Sequence, residues 1–181
     1  MEDKVLKKFQ TVKNEAFKDF ESLGHSKKFI DIEYLAAKIA EGNLISLKDF
    51  IWHFYNKSIL IFSRDFQKQA YNYWSMAVFD FRHEKKERVS KMKELSINAR
   101  ILDFQSKTST INDYEVVINV SDNSCGVCLA DRSKIYEVSK FLTEYTLPHR
   151  NCTCKGIGCT CMLSFVPKKN ADGSFILNLD D

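Results

Sequence analysis

All six cysteines of the chain lie between Cys125 and Cys161, at spacings that suit soft ligands gathered around a point. They read Cys125-Gly126-Val127-Cys128, then, after twenty intervening residues, His149-Arg150-Asn151-Cys152-Thr153-Cys154, and, past a gap bracketed by glycines, Cys159-Thr160-Cys161. Zinc in a structural site takes four ligands at the corners of a tetrahedron, drawn from thiolate sulfur and imidazole nitrogen. A Cys-x-x-Cys turn puts two sulfurs on one side of the ion, and His149-x-x-Cys152 can close the other. The simplest ligand set is therefore Cys125, Cys128, His149 and Cys152, with zinc as a structural cofactor. Cys154, Cys159 and Cys161 are left over. Cys154 or Cys161 can replace His149 or Cys152, since Cys-x-Cys also chelates, and a second, partly occupied site stays open. The competing accounts are disulfides and six unrelated buried thiols.

Beyond the cysteines, 44% hydrophobic and 13% aromatic residues give a globular composition rather than a disordered one. A length of 181 residues suits one domain, or a helical region with a small second module. The 27 basic and 24 acidic residues leave a net charge of +3, too balanced to identify a nucleic-acid binder by charge. Met1-Glu2-Asp3-Lys4 opens directly into an amphipathic pattern with no signal-peptide character, and no apolar run is long enough for a bilayer. The expectation is a reducing cytoplasm and no membrane, where paired cysteines hold metal more often than they form disulfides.

Several elements must position the cysteines. Val5, Phe9, Val12, Ala16, Phe20 and Leu23 recur at helical steps up to a stop at Gly24, and His25 reads as a solvated helix-end residue. Ile32, Leu35, Ala36 and Ile39 give a second helix ending at Glu41-Gly42-Asn43. Ser46 and Asp49 form a start signal like a capping box. From Leu47 to about Leu102 there is no Pro or Gly, so one very long helix is expected, or two joined end to end. Its stripe of Phe50, Phe54, Phe62, Phe66, Ala70, Tyr73, Ala77 and Phe81 reads as a core or partner-facing face rather than a cofactor site. His53 and the run His83 to Arg88 read as ordinary helix residues and a solvated face.

Past Asp103 the pattern changes. Thr108-Ser109-Thr110 loosens the chain, Tyr114 to Val120 reads as a strand, and Ser121 to Ser124 as the turn carrying the first cysteine pair. Ile135 to Tyr145 reads as a short helix. Met162 to Val166 and Ser174 to Leu179 read as a hairpin around Asn170-Ala171-Asp172-Gly173. The expected fold is α+β: a helical region over 1–105 with a long helix, then a small zinc-stapled β-containing module over 106–181. A module of that size has a thin core and gains from a staple.

The order of strand, Asp122-x-x-Cys125-x-x-Cys128, Ile135-Tyr136, Pro148-His149-Arg150-Asn151-Cys152-Thr153-Cys154 and closing strand resembles the C-terminal region of the phage Mu F-like head morphogenesis proteins. The resemblance covers about fifty residues, Tyr114 to Val166. It departs from the family at Arg150, where proline is usual, and at Asp131 to Lys134, where a glycine is usual. Cys159-Thr160-Cys161 can align equally with the family's terminal Cys-x-Cys. The resemblance implies a minor head protein of a tailed bacteriophage, present in the virion head and the bacterial host's cytoplasm. Its partners would be portal or major capsid proteins, with contact to DNA open, and its role head assembly and genome packaging or ejection.

That reading is structural, with no enzyme activity and no small-molecule substrate. A zinc-knuckle nucleic-acid binder, using Arg132, Lys134, Arg150 and Lys155, is the first alternative; Asp122, Asp131 and Glu137 dilute that patch. A thiol redox protein built on Cys125-Gly126-Val127-Cys128 is the second, and it predicts an acidic thiol in the metal-free protein.

Overall fold

The structure, a computed structural model, describes residues 2–41, 45–83, 85–107, 113–144 and 147–176, with side chains from residue 10 onward. Among these the fold is α+β, with seven helices and one three-stranded antiparallel sheet. The chain divides into two compact units, Met1–Met76 and Ala77–Asp181.

The first unit holds α1 (Glu2–Ser22), α2 (Lys27–Ala40), α3 (Leu47–Ile61) and the start of α4 (Phe66–Arg82). Its core is aromatic. Phe20 of α1 packs against Phe54 and Tyr55 of α3 with ring centroids 4.4 and 4.8 Å apart, separations at which ring pairs add to plain area burial. α1 stops where expected, because Gly24 takes φ +99° and lets the His25 amide donate back to the Phe20 carbonyl at 3.1 Å. Ser26 and Ser46 cap α2 and α3, each hydroxyl accepting an amide three residues on.

Three expectations change here. His25 is buried rather than solvated: it lies 2.6 Å from Ser58 Oγ and between Phe29, Phe54 and Phe62. The expected apolar face of α2 looks outward, with Ile32, Leu35 and Ile39 exposed and Ile30 supplying the buried contact. The unbroken run from Leu47 to Leu102 is three helices. α3 ends at Phe62, and Asp65 starts α4 by accepting the Lys68 amide at 3.0 Å. The second break, at His83 to Lys85, closes on Asp80: its carbonyl accepts the Lys85 amide and its carboxylate takes Arg88 at 2.7 Å. The first break is thus set by a side-chain cap and the second by a backbone carbonyl and an ion pair, neither needing proline or glycine. Gly42, Asn43, Glu84 and Thr108 to Thr110 lie outside the described residues.

The second unit holds α5 (Lys86–Lys107), β1 (Tyr114–Asn119), α6 (Gly126–Leu129), β2 (Ile135–Glu137), α7 (Val138–Glu144) and β3 (Met162–Pro167). The sheet order is β2-β1-β3, with Val116 opposite both Tyr136 and Phe165, and Ile118 opposite Leu163. Val116 and Ile118 are buried on one face, as alternation along a half-buried strand requires. The expected helix at Ile135 begins as a strand, since Ile135-Tyr136-Glu137 finds an edge of β1 to pair with; Tyr145 lies outside the described residues. The turn at Asn170 to Gly173 forms with Gly173 at φ +84°, and among the described residues it is flanked by a single bridge, Lys169 to Phe175; Leu177 and Leu179 lie outside the described residues.

The sequence places a boundary at 105/106, whereas packing places it at 76/77. α5 belongs to the sheet's unit because Ile97 enters its core and Phe104 stacks on Phe165 of β3, ring centroids 3.7 Å apart. Among the described residues no helix is long and apolar enough to cross a membrane.

Candidate metal centre

The thiols are part of the second unit's core. Cys128, Cys159 and Cys161 are buried with Ile97, Val116, Ile118, Phe141, Leu147 and Leu163, and Cys125, Cys152 and Cys154 pack against them. Cys125 lies at the N-cap of α6, whose single turn presents Cys128 on the same side. Cys159 and Cys161 return to the centre through Gly156 and Gly158, at φ +70° and +83°, a left-handed backbone that glycine adopts without steric cost.

Two sets of four donors result: Cys125, Cys128, Cys152 and Cys154, and Cys128, His149, Cys159 and Cys161, the donor atoms of each lying within 4.8 Å of one another. Cys125 Sγ is 3.7 Å from Cys128 Sγ and 3.8 Å from Cys152 Sγ. Cys128 Sγ is 3.6 Å from Cys152 Sγ and 3.8 Å from those of Cys154 and Cys159. Four thiolates bound ~2.3 Å from a common zinc ion are separated by ~3.8 Å along each tetrahedral edge, and a sulfur–nitrogen edge is ~3.5 Å. His149 Nδ1 lies 3.5 Å from Cys128 Sγ and 3.4 Å from Cys159 Sγ. All six cysteines are free thiols. The centre could hold a thiophilic metal.

The residues named from spacing are thus divided. Cys125, Cys128 and Cys152 come together in the first set; His149 joins Cys128 in the second, and Cys154, Cys159 and Cys161 complete the two sets. The division follows from how His149 is held. Its Nε2 lies 2.5 Å from Asp131 Oδ2. An ionised carboxylate only accepts, so Nε2 carries the proton and Nδ1 keeps the free lone pair that faces Cys159 Sγ.

Asp131 is buried, and also accepts from Tyr136 Oη at 2.8 Å and Lys134 Nζ at 3.0 Å. Burial pushes its carboxyl up, but the hydrogen bonds from His149, Tyr136 and Lys134 outweigh this and hold it below the usual range. His149 is raised: burial opposes its charge, and the bonds to Asp131 and Cys159 prevail. Neither Asp131 nor Lys93, a buried lysine of α5 whose Nζ donates to the carbonyls of Ile157 at 2.5 Å and Cys159 at 2.6 Å, was singled out as a site residue by sequence spacing. The Cys159-x-Cys161 spacing and the glycine bracket around Ile157 were the signals that Cys159 and Cys161 return to the site.

The thiols differ in acidity. Amides of Cys128 and Thr153 directed at Cys125 bring it down to about 5. Cys159 is pushed up by burial yet drawn down to about 7 by the Cys161 amide and by His149. Burial pushes Cys152 up to about 11 and Cys161 up to about 12, and Cys128 higher still. Six thiols this close cannot all ionise without a cation between them, so metal binding would release protons.

No family model matches the chain, and neither does any curated protein or solved structure.

Proposed function

We propose that the chain is a structural and interaction protein in which zinc clamps the 77–181 unit and the helical unit docks on protein partners. One observation carries this reading: each donor set offers four ligands, seven of the eight positions being cysteine. A four-ligand, thiolate-rich set leaves no position for the water that a catalytic zinc activates. The resemblance to Mu F-like minor head proteins supplies the setting, a tailed-phage head assembled in the bacterial cytoplasm, with portal or major capsid protein as partner. Ile32, Leu35 and Ile39, 53%, 60% and 72% exposed on α2, give the helical unit an apolar face suited to such docking. Two of the four basic residues near the cysteines are engaged by acids, Arg132 by Asp122 and Lys134 by Asp131, which weakens the case for a nucleic-acid surface.

The experiment joins elemental analysis and thiol titration to capture of portal and capsid proteins from the same phage. Bound zinc with protected thiols, and capture weakened by Leu35→Ser with Ile39→Ser at unchanged zinc content, are the expected results. Thiols oxidised in pairs with no metal would overturn the clamp; capture indifferent to the α2 face would overturn the docking.

A second reading has one observation in its favour. Cys125, with its thiol at about 5, lines an open depression with Ser124, Thr153 and Cys154, as a reactive redox thiol would. Catalytic disulfide exchange by the reduced, metal-free protein would favour it over the clamp.

A further inference from the structure

The geometry points to a binuclear centre: two zinc ions held at once by all six cysteines and His149, with the Cys128 thiolate bridging them. This deepens the zinc-clamp reading and rests on it. The two donor sets have one member in common, and it is Cys128. Two tetrahedra have eight corners, and seven donors fill them only if one corner is shared. Cys128 Sγ stands at that corner: it lies 3.6 to 3.8 Å from Cys125, Cys152, Cys154 and Cys159 sulfurs and 3.5 Å from His149 Nδ1. It therefore makes tetrahedron-edge separations into both sets. A centre with one ion would use one set and leave three soft donors of the other packed in an apolar core with nothing to bind. Cys128 is fully buried, at the centre of both sets.

The surroundings fit the charge such a centre carries. Two divalent ions offset four of six thiolate charges, leaving an anionic cluster inside a core. Lys93, 3% exposed, brings an ammonium to the Cys159 side by way of the Ile157 and Cys159 carbonyls. On the other side backbone amides donate to the sulfurs: Cys125 to Cys154 at 3.1 Å, Thr153 to Cys125 at 3.3 Å and Cys154 to Cys152 at 3.3 Å. Burying an ammonium is costly unless anions face it, and the second set supplies them. Lys93 is thus a positioning and charge-balancing residue for the centre.

The test counts ions and asks whether they share a ligand. Full-length protein made with added zinc and purified without chelator is weighed by native mass spectrometry, then reloaded with cadmium-113 for NMR. Two ions per chain are expected, with two cadmium signals, one for a four-sulfur site and one for a three-sulfur, one-nitrogen site, each split by the other through Cys128. Two signals without mutual splitting would overturn the bridge. One ion per chain in excess metal would overturn the binuclear centre while leaving a single-zinc clamp standing; no metal at all would remove both. In the variants, Cys154→Ser is expected to lose the four-sulfur signal and His149→Ala to shift the mixed one. Since Cys128→Ser can fail for want of folding, the ion count and the splitting are read from the unmodified protein. Lys93→Met is expected to lower two-ion loading relative to Lys93→Arg, which keeps the charge; equal loading would detach Lys93 from the proposal.

Discussion

A carboxylate facing an imidazole decides which ring nitrogen is free to bind, and Asp131 makes that choice for His149. Asp131→Asn keeps the shape but removes the charge that fixes the tautomer. Loss of such an outer partner costs about 10–100-fold in metal affinity, and competition against a chromophoric chelator should show a loss of that order with the zinc-loaded fold intact. Unchanged affinity would mean that His149 is oriented by packing alone. His25 poses the opposite case. Burial first, then Lys68 and Lys57, lower its pKa below 6.5, so the fold resists a proton that the unfolded chain accepts. Its contribution is whole above pH 6.5 and is lost as pH falls toward the lower folded value. Protection of α2 and α3 amides from hydrogen exchange should weaken between pH 7 and 5, and His25→Asn should flatten that slope. A slope identical in the variant would refute the assignment.

At the scale of elements, the first break in the long apolar run rests on a single polar side chain. Asp65 accepts the Lys68 amide and begins α4; Asp65→Ala should cost about 1 kcal/mol, the usual value of a lost cap, read from a urea midpoint. A variant as stable as the parent would show that tertiary packing, not the cap, sets the break. This is also where the sequence was least legible. Helical period was plain in Phe50, Phe54, Ala70 and Ala77, but an internal cap in Phe62-Ser63-Arg64-Asp65 looks like any exposed helix stretch until the turn is seen. Gly24 and Ser46 were readable because glycine and serine act through their own backbone or one amide three residues away. The β1 strand was legible from its β-branched run. β2 was not, because three residues become a strand only when a partner edge lies beside them. The cysteine pairs announced a cluster that could hold a metal, yet spacing could not apportion seven donors between two sets, since the assignment depends on Asp131 and on the turn at Gly156 and Gly158.

For the molecule as a whole, the two units fold on different means. Phe17, Phe20, Phe50, Phe54 and Tyr55 give the first a core of tilted and edge-on ring pairs that needs no metal. In the second, three of the nine buried core residues are thiols, and the sheet has three strands, two of six residues and one of three. Zinc binding in small domains is worth about 10–16 kcal/mol, comparable to the entire stability of an ordinary domain. Removing metal under reducing conditions should therefore unfold 77–181, with amides of β1 and β3 losing hydrogen-exchange protection, while those of α1 and α3 keep theirs. The far-UV circular dichroism should fall only in part, and readdition of zinc should restore it. Loss of protection throughout both units would mean that the first depends on the second for its fold. Full retention in β1 and β3 would mean that the apolar residues around the thiols, Ile97, Val116, Ile118 and Leu163 among them, suffice without a metal.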